Sequence, residues 1–334
     1  MMKKLKIPII IFIILTGFCF VFYFFNSPPN GYNSLSSFVV NQGENVKIIA
    51  KNLMDEGFIR SDVFFISLIR ISRKARSIKS GQYNINFNMR NTEILHILSE
   101  GIVATEKFTI PEGYSFKQIA ALLGNRGIIS SVLFIEACNN TDILAKYKIP
   151  FDNAEGFLFP DTYIVAKDLS ADQLVEVMVK KFFENLQKIP YTDYTEHDLK
   201  KMVIIASLVE KEARLDSERA IIAAVFYNRL HNGKRLESCA TIQYILGKTK
   251  ERLLISDLKV KSPYNTYLHT GLPPGPIANP GYKSLFAAVN PADVDYLFFV
   301  SKRDGSHYFS STYKEHLKAI KRYDSSGKIG HTVS

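Results

Sequence analysis

Residues 205–214 read I-A-S-L-V-E-K-E-A-R, an apolar run that passes directly into Glu210, Lys211 and Glu212. On a wheel of 100° per residue, Met202, Val203, Ile204, Ile205, Ala206, Leu208 and Val209 cover nearly the whole circumference. The spacing predicts a helix buried on all sides through its first two turns. Helical side chains lean toward the N-terminus, so Glu210 projects over Ala206 and Ser207, with Ala213 beyond it. Glu212 lies instead over Leu208 and Val209. Small neighbours leave room for a ligand beside Glu210, and a carboxyl in an apolar pocket can carry a proton and deliver it to a leaving oxygen. Glycosidic cleavage requires such a group. The competing reading is an ion pair of Glu210 with Arg214 at i, i+4, which favours the ionised form. On spacing alone the pair is slightly preferred. Ser207 and Lys211, also four apart, have the spacing of a Ser/Lys hydrolase dyad. No S-x-x-K motif accompanies them, and a packing serine with a solvated lysine is the simpler account.

Outward from this helix, the pattern predicts helices at about 170–188 and 196–232, the second broken near Asp216-Ser217, where either residue can cap the continuation. A loop-rich stretch, 234–281, ends in "GLPPGPIANPG" (271–281), whose prolines and glycines forbid regular structure over most of its length. A helix at 282–288, strands at 296–301 and 306–310, and a helix near 312–323 follow. On the N-terminal side, 38–59 reads as a strand, a Gly turn and a helix with Val46, Ile49, Ala50 and Leu53 at helical spacing. Residues 108–123, "FTIPEGYSFKQIAALL", repeat the strand–turn–helix form, and 80–101 supply a further strand and helix. The fold class is α+β. "NSPPNGYNSLSS" (26–37) reads as a linker, and the polar 324–334 as a disordered tail.

Residues 7–25, "IPIIIFIILTGFCFVFYFF", contain no charge. As a helix they span roughly 28 Å at ~1.5 Å per residue, close to a bilayer's hydrocarbon core. Lys3, Lys4 and Lys6 precede them, which leaves residues 1–6 in the cytoplasm and everything after the span outside. The run ends in Phe24-Phe25-Asn26-Ser27-Pro28 with no A-x-A-like cleavage site, so an uncleaved single-pass anchor is expected.

Composition excludes several classes. A chain of 334 residues, 46% hydrophobic, with 24 Phe and 17 Tyr is not broadly disordered. The net charge of +10 suits an anionic partner, but no basic block with interleaved aromatics and no helix-turn-helix pattern supports a nucleic-acid site. Cys19, Cys138 and Cys239 are too few and too scattered for a zinc cluster, and a Cys138–Cys239 disulfide is not expected.

"EGFLFPDTY" (155–163), "ASLVEKEA" (206–213), "SER" (217–219), "VFYNRL" (225–230), "YNTY" (264–267) and "GLPPGPIANPG" (271–281) occur in one order. This series closely resembles the endolytic murein transglycosylases, the YceG-like family, over roughly 38–323. The resemblance implies a LysM-like α+β module at 38–150 and a mixed α+β catalytic domain at 151–323. Together these form an enzyme of the cell (inner) membrane whose C-terminal domain is extracytoplasmic, or periplasmic. It implies cleavage of the MurNAc–GlcNAc β-1,4 bond within peptidoglycan strands, leaving 1,6-anhydro-MurNAc ends and limiting nascent strand length. The family's catalytic glutamate falls on Glu210, which reverses the preference for the Arg214 ion pair. No cofactor or metal is implied. Penicillin-binding proteins or other wall synthases are the expected partners besides the glycan and the membrane; nucleic acid is not. Asn228, Tyr264, Asn265 and Tyr267 are candidates for lining the sugar groove, or are loop and core residues. Glu155 is either across the cleft or a partner of backbone or arginine. The sequence departs from the family at "LESCAT" (236–241), where many members have L-x-S-D-P-T, so Cys239 and Ala240 replace Asp-Pro. That departure keeps open a non-catalytic peptidoglycan-binding or scaffold role.

Overall fold

The computed structural model describes residues 2–29, 31, 33–190, 195–248, 250 and 253–323; side chains are described at 9 and from 11 onward. The expected tail at 324–334 lies outside the described residues. The chain divides into two compact units, the first comprising Met1–Lys107 with Ile164–Leu169 and the second Phe108–Tyr163 with Ser170–Ser334.

The first unit opens with helix α1, Met2–Asn26. Among the described residues no helix is long and apolar enough to cross a membrane. The span expected at 7–25 is not among the helices that meet this condition. Strand β1 (Leu35–Val40), helices α2 (Val46–Asp55) and α3 (Asp62–Ile71), strand β2 (Gly81–Asn86) and helix α4 (Asn91–Glu100) follow. β1 and β2 pair antiparallel, with Phe38 opposite Tyr83. Asn45 caps α2 through the Lys47 and Ile48 amides, and Ser61 caps α3 through Phe64. Phe38, Leu53, Phe58, Phe65, Tyr83 and Leu98 form the core. Within the stretch expected as a linker, Asn26 bonds Thr92, and Arg60 donates to the Pro28 carbonyl. Its last three residues already belong to β1.

Strand β3 (Thr105–Thr109) pairs with a later strand, and the division between the units runs through both. Helices α5 (Phe116–Asn125), α6 (Ser131–Cys138) and α7 (Thr141–Lys146), strand β4 (Thr162–Ala166, the partner of β3) and helix α8 (Ala171–Leu186) come next. α5 packs on α6 and α6 on α8, within the second compact unit that begins at Phe108. Helix α9, Glu196–Glu212, starts with a reciprocal cap between Thr195 and Asp198. Leu199, Met202–Ile205, Leu208 and Val209 are buried, as the wheel required, against α10 (Arg219–His231) and a later helix at 282–289. A single 3-10 turn, 216–218, connects α9 to α10. Neither Asp216 nor Ser217 caps α10. Glu218 instead accepts the His307 amide and Nδ1, fixing the start of α10 on the C-terminal hairpin.

Helix α11, Cys239–Leu246, lies within the stretch expected to be loop, followed by α12 (Tyr282–Val289), the hairpin β5 (Phe298–Ser301) and β6 (His307–Ser310), and α13 (Tyr313–Tyr323). No disulfide joins Cys138 to Cys239. Between α11 and α12 the Pro-rich segment is fastened at alternate residues. The Ile277 amide donates to Ser207 Oγ (3.1 Å), Asn279 to the Tyr114 carbonyl (2.9 Å) and Gly281 to Glu210 Oε2 (2.9 Å). Prolines occupy 276 and 280, so the remaining amides carry the fastening.

Candidate active site

Helix α9 ends at Glu212: the next residue, Ala213, is extended (ψ 128°), so Arg214 leaves the face that would put it beside Glu210. Glu210 pairs with Arg219 instead. Its Oε1 accepts from Arg219 Nη1 at 3.3 Å and its Oε2 from the Gly281 amide at 2.9 Å, and the side chain is only 6% exposed. Arg219 also donates through Nε to Asp216 (3.0 Å) and through Nη1 to Ser284 Oγ (2.5 Å). Burial disfavours its charge, but Glu210 and Asp216 more than offset that and hold the guanidinium above its ordinary range. Lys283 closes the cluster on the Asp216 carboxylate, whose proton affinity falls because Lys283 and then Arg219 hydrogen-bond it.

Opposite the helix end runs the turn Pro111-Glu112-Gly113. Gly113 sits at φ +74°, and a Cβ there would lie 3.5 Å from Glu210 Cγ. Lys211 donates to the Gly113 carbonyl (3.2 Å), which draws it away from Ser207. Ser207 is fully buried, donating to the Ile204 carbonyl and accepting from Ile277, so no Ser/Lys dyad forms. Glu112 is exposed and packs on Gly281, where a Cβ would collide with its Oε1.

The other candidates separate. Glu155 is 2% exposed and accepts from the Phe116 amide (3.0 Å), Asn279 Nδ2 (2.9 Å) and Tyr244 Oη (3.4 Å). Burial lifts its carboxyl to about 8 despite these donors. It is a partner of backbone and amide, not of arginine. Asn228 donates to the carbonyls of Val294 and Tyr296, and Asn265 to those of Leu258 and Val260, so both brace loops. Tyr264 lines a cavity of about 750 Å³ together with Lys117, Gln118, Lys211, Glu212 and Tyr244. Cys239 is on the same wall and shares a hydrogen bond with Tyr267 Oη (3.1 Å). Burial raises its thiol to about 12, so it stays protonated where the family's usual Asp would carry charge. Glu212 accepts from Ser238 Oγ (2.6 Å). Arg219 and Glu112 escaped the sequence reading. Arg219 stood in the "SER" motif, nine residues after Glu210, and Glu112 in the turn of the strand–turn–helix unit at 108–123.

The sequence matches the YceG-like family over residues 38–322. The chain belongs to that family. A Bacillus subtilis relative of this YceG-like protein, named endolytic murein transglycosylase, is 33% identical over 86% of this chain and 84% of its own length. A Streptococcus pneumoniae protein of the same name is 29% identical over 84% of this chain, which spans 57% of that protein. The crystal structure of a YceG-like protein from Listeria monocytogenes matches with a TM-score of 0.57 at 30% identity. It covers 86% of this chain and all of that one.

Proposed function

We infer that this YceG-like protein is an enzyme, a lytic transglycosylase acting on peptidoglycan. The observation that carries the reading is Glu210, set at the end of a buried helix with Arg219 and the Gly281 amide on its two oxygens. In the proposed reaction Glu210 protonates the oxygen between MurNAc and GlcNAc, and the bond from that oxygen to the muramyl anomeric carbon breaks. The C6 hydroxyl oxygen then bonds to that carbon as its proton passes to Glu210, closing the 1,6-anhydro ring. One carboxyl serves both steps and ends the cycle in its starting state. Arg219 is placed to hold the side chain through the interval when it is ionised.

Within the same reading, α1 anchors the protein in the inner membrane with the N-terminus cytoplasmic and the chain after residue 25 outside. The support is a 25-residue helix whose described apolar side chains, among them Phe12, Ile14, Phe18 and Phe20, are exposed. The compact strand–helix–helix–strand core of the first unit supports its LysM-like assignment as the glycan-binding module. Wall synthases such as penicillin-binding proteins fit as partners that supply nascent strands.

The test is mass spectrometry of peptidoglycan digested by the full chain and by Glu210→Gln. Wild type is expected to release 1,6-anhydromuramyl ends and the variant none. Reducing ends in their place would make the enzyme a hydrolase. Unchanged strand lengths with tight pelleting on sacculi would leave the scaffold role that Cys239 keeps open.

A further inference from the structure

The reaction proposed for Glu210 needs a carboxyl that holds a proton between turnovers, yet both its oxygens face hydrogen-bond donors, one of them cationic. A compensating negative charge is at hand. The turn bearing Glu112 runs beside the Pro-rich segment: Gly113 donates to the Asn279 carbonyl (3.0 Å) and Asn279 to that of Tyr114 (2.9 Å). This pairing fixes Glu112 over Gly281, the residue whose amide binds Glu210, while Gly113 backs onto Glu210 itself. The surrounding charges are Glu210 and Lys211 from α9, Asp216 from the 3-10 turn, Arg219 from α10 and Lys283 from α12. Glu112 is exposed, and its Oε1 lies where a Cβ on Gly281 would fall.

We propose that Glu112 is an acidic positioning residue of this site, acting through Glu210: its charge, held across Gly281, keeps the proton on Glu210 until the glycosidic oxygen takes it. The inference rests on the transglycosylase reading. Over one turnover the proton leaves Glu210 as the glycosidic bond breaks, and the C6 hydroxyl proton returns to it as the ring closes; Glu112 neither gains nor loses one. Partial desolvation, and then the charge of Glu210, raise the proton affinity of Glu112, against Arg219 and Lys283.

The test is the pH profile of kcat/KM for anhydro-end release by the full-length chain in detergent micelles. Wild type is compared with Glu112→Gln, Glu112→Asp, Gly281→Ala and Glu210→Gln. Removing the neighbouring charge is expected to move the alkaline limb down by about one pH unit and to cut activity about 10-fold near neutrality. Glu112→Asp should recover most of both effects. Gly281→Ala keeps the amide but displaces the Glu112 side chain, and should reproduce the shift even if Glu112→Gln folds poorly. A Glu112→Gln profile that superimposes on wild type, or one lowered uniformly with no shift, overturns the proposal. Activity surviving in Glu210→Gln at every pH overturns instead the reading on which it rests.

Discussion

Glu155 and Glu210 are two glutamates of one unit, both nearly lost to solvent, and the chain treats them in opposite ways. Glu155 is surrounded by neutral donors: a backbone amide, the Asn279 side chain and a tyrosine hydroxyl. Among the described residues no cation hydrogen-bonds it, and burial lifts its carboxyl to about 8. Glu210 sits where a helix ends, with a guanidinium on one oxygen and, by way of Gly281, a third carboxylate nearby. A carboxyl held by neutral donors serves as a hub for backbone and can remain uncharged. A carboxyl set between a cation and an anion can change charge at small cost, which is what acid–base work demands.

The contrast breaks most severely at Arg219. Arg219→Met leaves Glu210 buried without its cation and is expected to cost on the order of 3–5 kcal/mol, read by chemical denaturation. A loss below ~1 kcal/mol would mean the pair contributes little to folding. Gly156, beside Glu155, comes next. It sits at φ +86°, and a Cβ would lie 2.6 Å from Pro276 and 2.7 Å from Val203. Gly156→Ala should destabilise by about 2–4 kcal/mol, seen as a lowered Tm.

Glu155→Gln sharpens the comparison through pH. Between about 4.5 and about 8 the folded chain holds the Glu155 proton that the unfolded chain has released. Wild-type stability therefore falls as pH rises through that window, by up to ~1.4 kcal/mol per pH unit from this group. Gln keeps the neutral form and should flatten that contribution; denaturation curves at pH 5 and pH 8 would show it, and equal slopes in the two proteins would refute it. The smallest effect is expected at Lys283, whose pair with Asp216 is more than half exposed on both sides. Lys283→Ala should change stability by less than ~1 kcal/mol.

Much of this was legible in the sequence. The all-round apolar stretch before Glu210 announced a buried helix, and the strand–turn–helix units at 38–59 and 108–123 followed from periodicity. What escaped depends on where a helix stops. Carrying α9 past Glu212 puts Arg214 beside Glu210; stopping it there hands the carboxylate to Arg219, a choice made by tertiary packing. Helix α11 was hidden because "CATIQYIL" is short, rich in β-branched residues and has no side-chain cap at its start. Glu112 was invisible because a turn residue acquires meaning only when the chain returns, at Gly281, to meet it.

The fastening of 277, 279 and 281 has a consequence for variation among relatives. Most surface loops accept an added or deleted residue, since their ends need only stay connected. This one is a ruler. Its three amides meet Ser207, Tyr114 and Glu210 at fixed intervals. A one-residue change in length between Ile277 and Gly281 would put a proline or a side chain where an amide is needed. Length here should be guarded as strictly as any residue's identity.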